Sequence, residues 1–127
     1  FRNWQRKSVT LFCDFDGCLV INGSKFGKKG WKTQPISENL NSLKKIHQIY
    51  NLKLIIITSR PKSELKYIKK TLARFDLAKA DIITDLPHGR RILINDFSNT
   101  NPYPSASSIN VIRDSKELSE ILSNLIN

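Results

Sequence analysis

Apolar positions along the chain change their period several times, and each change marks an element. Over 9–15, "VTLFCDF", a short β-rich apolar run ends at an Asp-Gly pair, which predicts a buried central strand. Residues 22–35, "NGSKFGKKGWKTQP", hold three glycines and four lysines with no apolar period, so they read as a loop or flap. Over 37–50, Leu40, Leu43, Ile46, Ile49 and Tyr50 recur at helical spacing behind Ser37, a good N-cap residue. A second buried strand, "LKLIIIT", occupies 52–58. From 61 to 75, Leu65, Ile68, Leu72 and Phe75 share one helical face, while Lys62, Lys66, Lys69, Lys70 and Arg74 take the other; Pro61 suits the first turn. Shorter strands are predicted at 81–84, 91–96 and 109–113, and a closing helix at 115–126.

Strands alternating with helices predict an α/β fold: a Rossmann-like parallel sheet sandwiched by helices, with right-handed crossovers. In such sheets ligands bind at the carboxyl ends of the strands. At those ends the pattern delivers Asp14 and Asp16, then Thr58, Ser59 and Arg60, then Asn95 and Asp96. Burying a carboxylate costs several kcal/mol unless a cation or hydrogen bonds compensate it, so this pattern asks for a partner. Three carboxylates gathered at one edge suit a hard divalent cation such as Mg²⁺, and a hydroxyl with nearby cationic side chains suits an incoming phosphate. One carboxylate can then attack phosphorus while its neighbour moves protons.

Composition narrows this only moderately. The 127 residues, 39% hydrophobic and 25% charged, are enough for one domain with its own core, taken as 1–127. No apolar run approaches the roughly 20 residues of a membrane span. The opening "FRNWQRKSV" has no Met and no apolar leader region, so the chain is read as trimmed or cut from a longer protein, and as cytoplasmic. Cys13 and Cys18 are too few for a disulfide framework and lack zinc-site spacing. The net charge of +10 is uneven: residues 1–77 carry 16 Lys/Arg against 5 Asp/Glu, and residues 78–127 carry 5 against 6. Either a basic front half meets an anionic partner, or the lysines merely solvate helices.

The residues that carry the chemistry also carry a resemblance. "DFDGCLV" resembles the first motif of the haloacid dehalogenase (HAD) superfamily of phosphohydrolases, "LIIITSR" the second and "ILIND" the fourth, in order and at βαβ spacing. "TSRP", "LPHGRRILINDFSNTNPYPSA" and "INVIRDS" resemble small bacterial HAD proteins found with capsule or lipopolysaccharide genes. The resemblance implies a HAD-like core and roles for its residues. Asp14 would attack the phosphoryl group to give an aspartyl-phosphate. Asp16 would protonate the leaving oxygen and then activate water. Thr58 would hydrogen-bond a phosphoryl oxygen, and Asp14, Asp16 (through its backbone carbonyl) and Asp96 would hold Mg²⁺. Gly17, Ser59 and Arg60 would lie against the substrate.

The third motif departs from that pattern. Leu86 in "DLPHGRR" stands where the family places a Lys, leaving Arg91, Arg90 or Lys79 as the cation. Arg91 is taken as its catalytic substitute; the alternative is that Arg90 and Arg91 belong to a solvated turn. His88 would face the leaving group. Asn99, Asn101 and Tyr103, in the loop after Asp96, are candidates for supporting the site. The spacing between motifs leaves no room for a cap domain, so the site is expected to be open, admitting bulky substrates or borrowing a cover from a second copy or a fused partner. In the flap, Lys29 and Trp31, with Lys25, Lys28, Lys32 and Phe26, are arranged to hold a phosphorylated sugar or a stacked base. The resulting reading is a Mg²⁺-dependent phosphatase for a phosphorylated sugar or related metabolite in surface-polysaccharide synthesis. A phosphatase of nucleic-acid ends and a non-catalytic module of a larger glycan enzyme are the alternatives.

Overall fold

A computed structural model of the chain describes residues 9–28, 30–50, 52–98 and 106–126. Lys29, Asn99, Asn101 and Tyr103 lie outside the described residues. Three parallel strands, β1 (Val9–Asp14), β2 (Leu52–Ile57) and β3 (Asp81–Ile83), form a sheet in the order β1-β2-β3. Helix α1 (Ser37–Ile49) joins the first pair. A 3-10 turn (Lys62–Glu64) running into α2 (Leu65–Ala73) joins the second, and α3 (Glu117–Ile126) follows.

The register explains which face is buried. Val9, Leu11 and Cys13 stand opposite Leu52, Leu54 and Ile56, and Ile56 stands opposite Ile82. Side chains alternate along a strand, so these residues share one face. They join a single core with Leu40, Leu43 and Ile46 of α1, Ile68 and Leu72 of α2, and Leu118 and Leu122 of α3. The opposite face carries Thr10, Phe12, Lys53, Asp81 and Ile83, all exposed.

The expected sandwich is therefore corrected to a one-sided sheet among the described residues. The physical reason is topological. The chain steps from β1 to β2 to β3 in one direction, and right-handed crossovers taken in one direction put their helices on one face. α3 then packs on α1 rather than across the sheet.

The strands expected at 91–96 and 109–113 do not form among the described residues either. Ile92, Leu93 and Ile94 are exposed, Ile94 at 91%. An apolar run needs a ladder partner to become a strand, because strand preference is largely a matter of packing context. Arg91 instead turns back, donating from its Nη1 to the carbonyls of Pro87 and Gly89. The N–H of Ile112 is taken by the Glu117 carboxylate at the start of α3.

The helix ends differ in detail from expectation. Ile36, not Ser37, is the N-cap of α1, and no side chain caps it. Ser115 does serve α3, its hydroxyl accepting from the Glu117 N–H. Asn39 is buried in the first turn of α1. Its amide donates to the carbonyls of Cys18 and Ser115, and its oxygen accepts from the Ser119 N–H.

Candidate functional site

Asp14 ends β1, and strand alternation directs it away from the packed face while Cys13 and Phe15 point into the core. The chain then turns sharply. Leu19 and Val20 both donate to the Phe15 carbonyl, and the Gly17 N–H donates to that of Val20 at 2.7 Å. Gly17 has φ +85°, and a Cβ there would lie 3.1 Å from Arg113 Cγ, so glycine is needed both for the turn and for the close approach. Asp114 closes the other side, its N–H donating to the Gly17 carbonyl and its carboxylate accepting from the Asn22 N–H.

Asp14 is exposed by area, yet the protein around its carboxyl removes enough water to raise its pKa above the usual carboxylate range. The Arg91 cation opposes that rise, the neighbouring Asp16 charge adds to it, and the Phe15 N–H and Arg113 oppose it further. Two arginines thus act on Asp14. Arg91 stands out in the sequence beside the third motif; Arg113, which closes the apolar run "INVIR", does not. The neighbouring thiols are poor nucleophiles: burial and the charges of Asp14 and Asp114 push Cys18 up to about 11, and burial raises Cys13 higher still.

Asp16 faces inward. Its carboxylate accepts from Arg60 Nε at 2.9 and 3.1 Å and from Arg60 Nη2 at 2.7 Å. It also accepts from the Gly23 N–H at 3.1 Å and from the Thr58 hydroxyl at 3.3 Å. Arg60 is 0% exposed and Asp16 14% exposed at the side chain. The remaining Arg60 donors reach the Trp31 carbonyl at 2.6 Å, Thr33 Oγ1 at 3.1 Å and Glu64 Oε1 at 3.4 Å. The guanidinium also lies 5.1–5.4 Å from the ring centres of Phe15, Trp31 and Tyr67.

The substrate contact expected of Arg60 is corrected accordingly: all its donors are used inside the protein. Thr58 is buried as well, its hydroxyl donating to Asp16 and accepting from the Arg60 N–H. Lys79 drops out as the third-motif cation, since it lines a separate concavity at the amino end of β3, opposite the strand ends that carry the acids.

The flap leaves and rejoins the core at a closed base, where Ile21 donates to the Gln34 carbonyl and Val20 bridges Pro35. Between the flap and the ends of β2 and β3 lies a cavity of about 450 Å³. Its walls include Lys25, Phe26 and Trp31 from the flap, Ser59 after β2, and Leu86 and His88 after β3. Of the expected substrate residues, Ser59, Trp31 and His88 therefore meet at one cavity, whereas Arg90 is exposed in the turn beyond it. Leu86 holds that wall in place, donating its N–H to the Thr58 carbonyl.

The trio Asp14, Asp16 and Asp96 is not assembled into a metal site. Among the described residues, no group of three or more His, Cys, Asp or Glu side chains is placed to hold a metal ion. Asp96 rides on 91–98, which makes no ladder with β1, and the Asp16 carboxylate oxygens accept from Arg60, Thr58 and Gly23.

The chain matches no protein-family model, no curated protein and no solved structure. Among the described residues, no helix is long and apolar enough to cross a membrane.

Proposed function

We propose that the protein is a phosphoric monoester hydrolase working through an aspartyl-phosphate on Asp14, with a phosphorylated sugar or related metabolite as substrate. The observation that carries this reading is the pairing at the end of β1. An outward carboxylate, Asp14, flanked by Arg91 and Arg113, stands two residues from a carboxylate, Asp16, that is fixed from several sides.

In the first step an Asp14 oxygen bonds to phosphorus as the bond from phosphorus to the substrate oxygen breaks, and the departing oxygen takes a proton that Asp16 must first have gained from solvent, a role that rests on the motif resemblance. Water then gives a proton back to Asp16 and attacks phosphorus. The bond to Asp14 breaks, releasing inorganic phosphate and restoring the carboxylate. Arg91 and Arg113 supply positive charge where the transferred group gathers negative charge. The cavity beside Ser59 takes the leaving group, offering the Phe26 and Trp31 rings to an apolar sugar face, and the Lys25 and His88 side chains to its hydroxyl or acidic groups. Magnesium dependence, and a place in surface-polysaccharide synthesis, are part of the same proposal and rest on the motif resemblance.

Hydrolysis of an aryl phosphate, with magnesium and with EDTA, tests the reading in wild type beside Asp14→Asn. Turnover by the wild type and none by a folded Asp14→Asn is expected, and near-normal turnover by that variant overturns the nucleophile. The net charge of +10 and the largely exposed Phe26, with Lys25 Nζ 5.0 Å from its ring centre, favour one second reading, a phosphatase of nucleic-acid ends. It requires oligonucleotide binding that weakens steeply with salt.

A further inference from the structure

We infer that Arg60 is a positioning residue that couples the flap to Asp16, so that the place of the flap sets the geometry of the proton-moving carboxylate; this rests on the phosphatase reading above. A buried guanidinium is costly unless every donor is satisfied, and this one is satisfied by two different parts of the site. Nε and one Nη2 donor hold Asp16 through both carboxylate oxygens. The other Nη2 donor and Nη1 hold the flap through Thr33 Oγ1 and the Trp31 carbonyl.

The planar fork is rigid, so its two ends move together. Three further contacts make the link specific. The Tyr67 hydroxyl donates to the Thr33 carbonyl at 2.6 Å, while its ring lies against the guanidinium. Glu64, on the turn leading into α2, holds Nη1 from behind. Gly23, near the opposite end of the flap, donates to Asp16, and a Cβ there would lie 3.2 Å from Arg60 Nη2 and 3.1 Å from the Gly30 carbonyl. The flap therefore closes around Arg60 as around a peg. Lifting it strips acceptors from the guanidinium and loosens Asp16, whereas Asp14 makes no hydrogen bond to Arg60 or the flap among those described.

The arrangement makes a prediction that simple scaffolding does not: a residue remote from the reacting atoms, Thr33, acts through Asp16. The experiment measures kcat and KM for aryl phosphates of graded leaving-group pKa in wild type, Arg60→Met and Thr33→Val. It also measures the same two substitutions in an Asp16→Asn background, with folding checked by circular dichroism.

Arg60→Met should lower kcat by about tenfold or more, within the range general acid–base catalysis supplies, with the loss growing as the leaving group becomes poorer. Thr33→Val should lower it less, in the same pattern. In the Asp16→Asn background both losses should shrink to within about twofold, since residues acting through one group are not additive. The leaving-group dependence is a ratio, so a reduced folded fraction does not disturb it.

Equal losses with and without Asp16 overturn the coupling, as does a rise in KM at unchanged kcat, which would put Arg60 against substrate. A wild type with no turnover of any phosphate overturns the phosphatase reading itself, and this inference with it.

Discussion

Replacing Asn39 by alanine should destabilise the protein by about 2–4 kcal/mol. The side chain is fully buried and makes three hydrogen bonds, to the carbonyls of Cys18 and Ser115 and from the N–H of Ser119. Alanine removes all three: the carbonyls of Cys18 and Ser115 lose this donor, and the Ser119 N–H keeps only its bond to the Lys116 carbonyl. Each such group costs about 1–3 kcal/mol where water does not reach it, and less where it does. The three bonds tie the turn after β1, the first turn of α1 and the first turn of α3 into one unit, so the cost falls on global unfolding. With a urea slope of about 1.5 kcal/mol/M, the midpoint should fall by about 1.3–2.7 M at unchanged slope, followed by far-ultraviolet circular dichroism. Asn39→Asp should not rescue it: the acceptor for Ser119 survives, but both donors are lost and a carboxylate faces two carbonyls. A loss below about 0.5 kcal/mol for Asn39→Ala, the range of ordinary surface changes, would refute this reasoning.

Other outcomes follow from the same geometry. Burial, with the Asp16 charge, raises the Asp14 pKa in the fold against the pull of Arg91. Its contribution to stability is then full below the ordinary carboxylate pKa of about 3.9 and is lost as pH rises through the raised value. Asp14→Asn should therefore melt higher than wild type at neutral pH, with the gap closing toward about pH 3. An equal gap at both ends would contradict the shift. If Asp14 is the nucleophile as proposed, removing the Arg91 charge as Arg91→Met should move the acid limb of kcat/KM to higher pH, because the ionised carboxylate loses a stabilising cation; an unmoved limb would separate Arg91 from Asp14. Gly17→Ala should cost about 1–2 kcal/mol for the left-handed backbone and should also displace Arg113, lowering turnover beyond the change in stability. Thermal melts beside kcat on the folded fraction test both effects.

The sequence made some of this architecture readable and hid the rest for identifiable reasons. β1, β2 and the apolar faces of α1 and α2 announced themselves because each is specified by local periodicity: Leu40, Leu43 and Ile46 recur as a helix must, and Leu52, Leu54 and Ile56 alternate. The fate of "RILIND" was not readable, because a strand is completed by a neighbour far away in the chain, and the apolar run looks the same with or without one. One-sidedness of the sheet is likewise a property of topology, invisible in any window.

The turn chemistry around Asp14 and Asp16 was legible through Gly17. The inward turn of Arg60 was not, since a basic residue after a strand gives no sign of whether water or three aromatic rings will surround it. Its partners had a faint signal in retrospect: Tyr67 sits among the lysines of α2, where an aromatic ring is out of place on a solvated face. Asn39 gave a similar hint, one position before the first apolar residue of its helix.

If phosphorus passes through Asp14, as proposed, it can be caught there. Enzyme mixed with an aryl phosphate, quenched in acid during turnover and digested would be examined by mass spectrometry for the peptide spanning Asp14. This peptide should carry one phosphoryl group, lost on mild alkali, in wild type and not in Asp14→Asn. Turnover by the wild type with that peptide unmodified, or with the phosphoryl group found elsewhere, would contradict it.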